Sequence, residues 1–548
     1  MNKYEIIPLG GCGEIGKNMT VVKCDEGMIV IDCGLSFPHE EMHGVDIVIP
    51  DFTFLKENRD ELKGIILTHA HEDHVGALSY VLQELDVPVY GSELTLALVR
   101  RKLSEKLPVR SLDLQLFPEK KRFNIGPFEI EPIHVTHSMP DTFAIAIHTA
   151  IGVILFSGDF KFDFSPMDGK LTDLSRFGTL GDEGVLILLS DSTNSEFPGW
   201  CPSESSILPQ LDNVFREATG RILITMFASS LHRIQQAFNM AEKHGKKVAI
   251  AGRSMDQNIA TAKDIGWLKI PRNTAIPLSE CDEHDDDKIV ILATGSQGEP
   301  LSALNLMSKE EYTRMQIREG DTVIYSARPI PGNESAIWQT VNRLFRQGAR
   351  VLYGFESGLH ASGHGYQEEL KLLINLTRPQ YVAPVHGEPR HQYHYSLLAK
   401  SMGYTDENII MLSNGNRLVL EKDGAYFAGD VVCGRILVDS SGVAGVTDEV
   451  LRDRQNLAND GVVLINVVLD SDAGKVVLPT DVVARGVQFT DGEISSLQKV
   501  LSDRLSQLDR SELKDRHIIH QEVTEFARSY LKTSTNKRPL VIASIVDI

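Results

Sequence analysis

The stretch Ile65-Ile66-Leu67-Thr68-His69-Ala70-His71-Glu72-Asp73-His74 decides how this chain is read. A β-branched apolar run gives way, at Thr68, to three imidazoles and a ligand-type carboxylate, Asp73, within six residues. Packing alone explains such a cluster poorly. Neutral imidazole nitrogen and carboxylate oxygen are what a hydrolytic Zn²⁺ or Mn²⁺ site uses. The strand ends as the histidines begin, so successive side chains can fan out from a loop toward two neighbouring ions.

Working outward, the same arrangement recurs at the ends of other apolar runs. Ile154-Leu155-Phe156-Ser157-Gly158 ends at Asp159, and Leu186-Ile187-Leu188-Leu189-Ser190 ends at Asp191. Tyr381-Val382-Ala383-Pro384-Val385 ends at His386, and Ile133-His134-Val135-Thr136 ends at His137. Any one of these alone reads as a cap or a surface residue. Together, beside the histidine cluster, they supply enough ligands for two ions.

The first 190 residues read mostly as strands punctuated by glycine, at 4–9, 20–23, 28–32, 64–68 and 152–157, with helical patterns at 76–85 and 93–106. From about Ser205, helices at 207–218 and 231–244 alternate with strands at 221–226, 247–251 and 288–293, which implies a parallel sheet covered by helices. A strand ending at Tyr353 leads into the glycine- and histidine-rich stretch 358–365, then a helix at 367–375 and a strand at 380–385. Residues 439–446 read as part of a linker. The last hundred residues form a compact unit with strands at 462–468, 482–488 and 540–546 and helices near 494–508 and 512–533.

Two motifs invite a different reading. Gly11-Cys12-Gly13-Glu14-Ile15-Gly16, with Asp32 downstream, matches a dinucleotide fingerprint, but that fingerprint requires its third glycine to open a helix. Here Lys17-Asn18-Met19-Thr20-Val21-Val22-Lys23 continues as strand, so a glycine-rich turn is expected and no nicotinamide cofactor. The acidic run Cys281-Asp282-Glu283-His284-Asp285-Asp286-Asp287 lacks calcium-loop spacing and reads as a solvated turn.

Composition bounds the function. The chain has 548 residues, 42% hydrophobic and 24% charged, which suits several globular domains and excludes disorder or coiled coil as a description of the whole. No apolar stretch approaches the ~20 residues of a membrane helix, and the start carries no signal-peptide pattern, so a cytoplasmic protein without membrane attachment is expected. Fifty-five Lys and Arg against 75 Asp and Glu, net −20, argue against a nucleic-acid coat protein that binds by neutralising phosphates. An enzyme with a local basic channel or bound metal remains open. Six scattered cysteines, without Cys-x-x-Cys, fit reduced thiols.

The motif His-x-His-x-Asp-His followed by distant His, Asp and His resembles the metallo-β-lactamase fold. Further segments resemble its β-CASP nuclease branch, most closely the bacterial ribonuclease J family. They are Leu9-Gly10-Gly11-Cys12-Gly13-Glu14-Ile15-Gly16-Lys17-Asn18, Val135-Thr136-His137-Ser138-Met139-Pro140-Asp141, Gly158-Asp159-Phe160-Lys161-Phe162-Asp163 and Ser190-Asp191-Ser192-Thr193-Asn194. Arg328-Pro329-Ile330-Pro331-Gly332-Asn333-Glu334, His360-Ala361-Ser362-Gly363-His364-Gly365 and Pro384-Val385-His386-Gly387-Glu388 complete the set, which runs essentially end to end.

The resemblance implies an α/β protein: a metallo-β-lactamase αββα sandwich with an inserted β-CASP α/β domain and a small C-terminal α/β domain. Its expected boundaries are 1–204 and 356–425 for the two parts of the sandwich, 205–355 for the insert, 426–450 for a linker and 451–548 for the C-terminal domain. It implies two Zn²⁺ per subunit, with Mn²⁺ as an alternative activator. One is held by His69, His71 and His137, the other by Asp73, His74 and His386, with Asp159 between them. Asp191, His364 and His386 correspond to the first, second and third β-CASP motifs. Every ligand is kept, which argues for an active enzyme rather than a scaffold.

Asp73, His364 and Asp191 are the expected catalytic residues. Two ions about 3.5–4 Å apart can clamp a phosphodiester for in-line attack by water of lowered pKa. His364 then stabilises the scissile phosphate or donates a proton to the leaving 3′-oxygen. Ser229, Ser230 and Leu231, at a strand-to-helix junction, and His360, Ala361, Ser362, Gly363 and His364 are expected to line the substrate path and a 5′-phosphate pocket. The implied function is a metal-dependent ribonuclease, 5′-to-3′ exonucleolytic on 5′-monophosphorylated RNA with some endonuclease activity, in mRNA decay and rRNA maturation. Expected partners are RNA, a second or further copies of the chain as homodimer or homotetramer, and other RNA-decay proteins. A DNA-directed β-CASP nuclease and a small-molecule metallo-hydrolase are the alternatives, and the inserted domain speaks against the second.

Overall fold

The computed structural model describes the chain apart from residues 1–2, 40, 109–111, 331, 440–441, 471–472, 474, 478–479, 488, 490 and 510. It divides into two compact units, Met1–Phe37 with Ile47–Ile436, and Pro38–Asp46 with Leu437–Ile548.

In the larger unit two sheets face each other. One has the order Gly424–Asp430, Asn416–Glu421, Lys3–Gly10, Met19–Cys24, Gly27–Ile31, Leu62–Ile66, Val89–Gly91, Leu114–Leu116. The other runs Tyr381–Val385, Val185–Asp191, Gly152–Phe156, Thr142–Thr149, Phe128–Val135, Phe123–Ile125. Alternation along each strand sorts the side chains between two cores. Ile145 and Ile147 join Ile6, Val22, Ile29 and Ile66 between the sheets. Ala144 and Ala146 face the opposite way, into a layer with Phe177, Leu180, Leu370 and Leu373 from the helices Leu174–Glu183 and Gln367–Thr377. Residues beyond the insert thus return to complete both sheets: Tyr381–Val385 pairs with Val185–Asp191 and Asn416–Glu421 with Lys3–Gly10.

The insert is a parallel five-stranded sheet, Lys247–Ala251, Ile289–Ala293, Ile222–Thr225, Thr322–Tyr325, Arg350–Leu352. Its strands are apolar on both faces because helices cover both. In the smaller unit Val462–Asp470 pairs with Asp481–Arg485 and Leu540–Asp547, and Val463, Ile465, Val467 and Leu469 face the helices Asp491–Leu505 and Arg516–Thr535.

The expected linker, 426–450, contains the division between the two units, at Ile436 and Leu437, and carries regular structure of its own. The strand Gly424–Asp430 pairs with Asn416–Glu421, Leu437 faces Val446 in a second antiparallel pair, and the helix Asp448–Asp460 follows. Leu437, Val438 and Val446 are buried, so their ladder and packing outweigh the glycine and serine content around them. The Gly11–Gly16 segment is a turn between the strands Lys3–Gly10 and Met19–Cys24, with no helix after Gly16. The acidic run lies in two short 3₁₀ turns, where Asp282 and Asp286 pair with Arg318. Among the described residues no helix is long and apolar enough to cross a membrane.

Candidate metal centre

The site forms along one edge of the sandwich. Val185–Asp191 runs parallel to Gly152–Phe156 and to Tyr381–Val385, with Asp191 opposite Val385, so the segments bearing Asp159, Asp191 and His386 leave the sheet side by side. His69 follows Leu62–Ile66 in the facing sheet, and Thr68 O accepts the Phe143 N–H at 3.1 Å, joining the two edges. Ligand binding outside the carboxyl ends of parallel strands is the general rule for such sheets.

Glycine lets the cluster close. A Cβ on Gly34 would lie 1.6 Å from Asp73 O, and one on Gly363 would lie 2.6 Å from His137 Cε1. The turn that mimicked a dinucleotide loop is part of this scaffold, since Gly11 O accepts the His386 N–H and Asn18 Nδ2 donates to Asp73 O. Asp32 and His386 hold φ of +61° and +48°, a strained conformation for residues with a Cβ.

Two sets of four potential ligand atoms each gather within 4.8 Å: His69, His71, His137 and Asp159, and Asp73, His74, Asp159 and His386. Asp159 belongs to both. A third set, Asp159, Asp191, His364 and His386, overlaps them. All seven expected ligands are therefore brought together. His69, His74, His137, Asp159 and His386 are buried, whereas His71 and Asp73 are partly exposed and mark the open side.

The second nitrogen or oxygen of most of these groups is tied down. His74 Nδ1 lies 2.7 Å from Asp32 Oδ2, His69 Nδ1 3.0 Å from Thr68 Oγ1, His137 Nδ1 2.8 Å from Gly363 O and His386 Nδ1 2.8 Å from Asp159 Oδ1. Such partners fix the ring orientation of metal-binding histidines. His386 Nε2 is buried without a hydrogen-bond partner, although Asp73 Oδ2 lies 3.2 Å away. An orphaned buried nitrogen among nitrogen and carboxylate donors fits a divalent cation and is costly without one.

Electrostatics divide the cluster. Burial, aided by neighbouring imidazoles, pushes His69 and His137 well below the ordinary imidazole range. Burial also outweighs Asp73 and Asp159 at His71, lowering it to about 4. These three are neutral, as ligands must be. At His74 burial is overcome by Asp159, Asp32 and Asp73, and the ring is held well above its usual value. His386, likewise buried but beside Asp159 and Asp73, is raised to about 10. Asp73 and Asp159 are both held low, their burial outweighed by His386 and His74. Protons on His74 and His386 thus balance the carboxylates here, and a divalent cation held by these residues would take the place of those protons.

His364 Nδ1 lies 2.7 Å from Asp191 Oδ2, and its Nε2 reaches within 4.0 Å of Asp159 Oδ2. Despite burial, Asp191 and Asp159 raise this imidazole above its ordinary value. Asn194 Nδ2 donates to Ser362 Oγ at 2.8 Å and to the His364 carbonyl at 3.0 Å, holding the 360–364 segment against the site. Ser230 occupies the N-cap of the helix Leu231–Lys243 but makes no side-chain cap bond, and the Leu231 N–H is already taken by Ser229 O.

Sequence reading missed three supporting residues. Asp32 entered only as the acid of a rejected fingerprint, Asn194 only inside a motif, and Arg233 not at all. The single available signal was Asp32 ending an apolar strand, as the ligands do.

Comparison with known proteins follows the same lines. Family profiles match at residues 12–230 ("Metallo-beta-lactamase superfamily"), 219–344 ("Ribonuclease J, beta-CASP domain"), 348–411 ("Zn-dependent metallo-hydrolase RNA specificity domain") and 449–548 ("Ribonuclease J C-terminal domain"). Ribonuclease J of Thermus thermophilus is 41% identical over 551 residues, covering 99% of this chain and 95% of that protein. The chain belongs to the ribonuclease J family.

Other ribonuclease J proteins agree. That of Synechocystis is 45% identical over 89% of this chain and 76% of its own length, and ribonuclease J 2 of Staphylococcus aureus is 37% identical over 99% and 98%. A solved protein of unknown function from Enterococcus faecalis, 16% identical, shares the fold alone, with a TM-score of 0.54 over 76% of this chain and all of that one. As a ribonuclease J family member, the chain is a metal-dependent hydrolytic ribonuclease of the metallo-β-lactamase and β-CASP class.

Proposed function

We propose that the centre holds two Zn²⁺ per subunit, with Mn²⁺ as an alternative activator, one at His69, His71 and His137 and the other at Asp73, His74 and His386, Asp159 lying between. The observation that carries this reading is the pair of four-ligand sets sharing Asp159. Bound there, the ions would supply Lewis-acid polarisation of a phosphodiester and water of near-neutral pKa. Asp191 holds His364 by Nδ1, leaving its Nε2 to donate a proton to the leaving 3′-oxygen or to stabilise the scissile phosphate. Asp73, partly exposed on the open side, accepts a proton from the attacking water.

Ser229, Ser230 and Leu231 with His360, Ala361, Ser362, Gly363 and His364 form the substrate path and 5′-phosphate pocket. The hydroxyls of Ser229 and Ser230 meet no protein partner among the described residues, at the positive end of a 13-residue helix. A monophosphate fits so small a donor set, and a triphosphate adds charge and bulk where the next nucleotide must lie. The chain therefore digests 5′-monophosphorylated RNA from the 5′ end and cuts internally when a strand threads past the pocket. It serves mRNA decay and rRNA maturation in the cytoplasm, as a homodimer or homotetramer working with other RNA-decay proteins.

The test supplies purified protein with Zn²⁺ or Mn²⁺ and 5′-labelled mono- and triphosphorylated RNA, DNA and a generic ester. Release of mononucleotides from 5′-monophosphorylated RNA, lost in His71→Ala and Asp73→Ala proteins that keep the unmodified chain's circular dichroism, is expected. Equal digestion of mono- and triphosphorylated ends, or full turnover in either variant, refutes the assignment.

A further inference from the structure

Arg233 sits in the first turn of the helix Leu231–Lys243 and is 4% exposed. Its Nη1 donates to the Ser326 carbonyl and lies 3.0 Å from His360 Nδ1. Its Nη2 reaches Glu204 Oε1 and Oε2 at 3.1 and 3.0 Å and the Ala361 carbonyl at 3.1 Å. One guanidinium thereby ties the helix that begins beside Ser229 and Ser230 to the segment carrying His360, Ala361 and Ser362.

A guanidinium only donates hydrogen bonds. His360 Nδ1 must therefore accept, and the ring's single proton sits on Nε2. Protonating Nδ1 would set two donors head to head beside a cation in a site shielded from water. The charged groups around His360 are Arg233 on the helix, Glu204 on the 3₁₀ turn Glu204–Ile207 and Arg328 beyond the strand Thr322–Tyr325. Burial and Arg233 together lower the imidazole to about 3, with Arg328 adding and Glu204 and the Ser326 backbone carbonyl opposing. Both terminal nitrogens of Arg233 are engaged by protein acceptors, so this cation is committed to the protein rather than to phosphate.

The geometry points to Arg233 as a positioning residue that locks His360 as a neutral Nε2–H donor in the 5′-phosphate pocket, which rests on the pocket reading above. Glu204 offsets the charge of Arg233, so His360 contributes to recognition of a terminal phosphate as a directed neutral donor whose strength does not change across physiological pH.

The experiment uses the full-length, metal-loaded enzyme and 5′-monophosphorylated single-stranded RNA from pH 5.5 to 8.5. Each variant is divided by the unmodified enzyme, which cancels titration of the RNA phosphate itself. In the Arg233→Gln/Glu204→Gln protein, residue 233 presents either a donor or an acceptor, and His360 titrates near the ordinary value of about 6.5. The KM ratio is expected to be about tenfold at pH 8 and to fall toward one at pH 6, where the imidazolium donates from both nitrogens, while the kcat ratio stays independent of pH. Adding His360→Ala should abolish that pH dependence.

With Arg233 intact, His360→Gln places an amide near Nε2 and should keep KM within about threefold, whereas His360→Asn should raise it as far as His360→Ala does. This second comparison decides the matter if the double variant does not fold. A KM ratio flat with pH in a folded double variant, or equal KM for the Gln and Asn proteins, overturns the lock. If His360→Ala leaves KM unchanged, the pocket reading falls and the lock with it.

Discussion

Asp32 Oδ2 accepts a hydrogen bond from His74 Nδ1 at 2.7 Å, with Thr68 Oγ1 bonding the same carboxylate at 2.9 Å. This carboxylate turns His74 Nε2 toward Asp159 and Asp73, so the orientation of one ring of the cluster is set from behind. Asp32→Asn preserves shape and tolerates the left-handed backbone at this position, but loses the charge. Metal affinity should fall about 10- to 100-fold, as measured by competition with a chelator. Unchanged affinity would remove Asp32 from the site's support.

His364 and Asp191 should act as a unit. His364→Gln and Asp191→Asn are each expected to lower kcat for RNA by about 10²- to 10⁴-fold with smaller changes in KM, and the double variant should cost little more than either alone. Additive losses would mean that the 2.7 Å contact does not couple them.

Replacing Ser229 and Ser362 together by leucine fills the space claimed for a terminal phosphate. Mononucleotide release from 5′-monophosphorylated RNA should drop about tenfold or more, while internal cutting of a long or circular RNA declines less. Parallel loss of both modes would place these serines outside a pocket specific for the 5′ end.

Glu131 carries the clearest acid-sensitive contribution away from the metal centre. Burial would raise its carboxyl, but hydrogen bonds from Arg176 at 2.6 and 2.8 Å and from His148 at 2.8 Å outweigh this and hold it below 4.5. A carboxyl depressed in the folded state stabilises above its unfolded value and loses that contribution as pH falls through the folded value. Glu131→Gln should therefore cost about 2 kcal/mol at pH 7, seen as a lower Tm, and the gap should narrow below pH 4.5. A gap constant down to pH 3.5 would show that the ion pair contributes nothing.

The C-terminal unit buries one face of its sheet under helices, while Ile542 and Val546 on the edge strand Leu540–Asp547 are 46% and 47% exposed. Self-association through this unit should be weakened by Ile542→Lys with Val546→Glu in the full chain. Light scattering should report a smaller particle, and an unchanged mass would locate the interface elsewhere.

Much of the site was legible because metal ligands must be particular residue types at strand ends. His69 to His74, His137, Asp159, Asp191 and His386 each follow an apolar run, and period and composition expose such runs without any fold. The parallel insert was equally readable, since strands covered on both faces are apolar throughout. Composition missed the regular structure within 426–450, where glycine and serine content suggested only a linker while Leu437 and Val446 pair across a ladder. Composition does not reveal a partner strand.

What the sequence determined by itself was the inventory of donors, the alternation that builds two facing sheets and an inserted parallel one, and the absence of a helix after Gly16. What only the tertiary structure decided was which donors meet: Asp159 shared by two ligand sets, Asp32 behind His74, and Arg233 against His360. Local patterns record how each segment bends and which face it buries. Contacts between segments far apart in the chain depend on strand order and crossover, which a few ångströms of packing settle and no local spacing encodes.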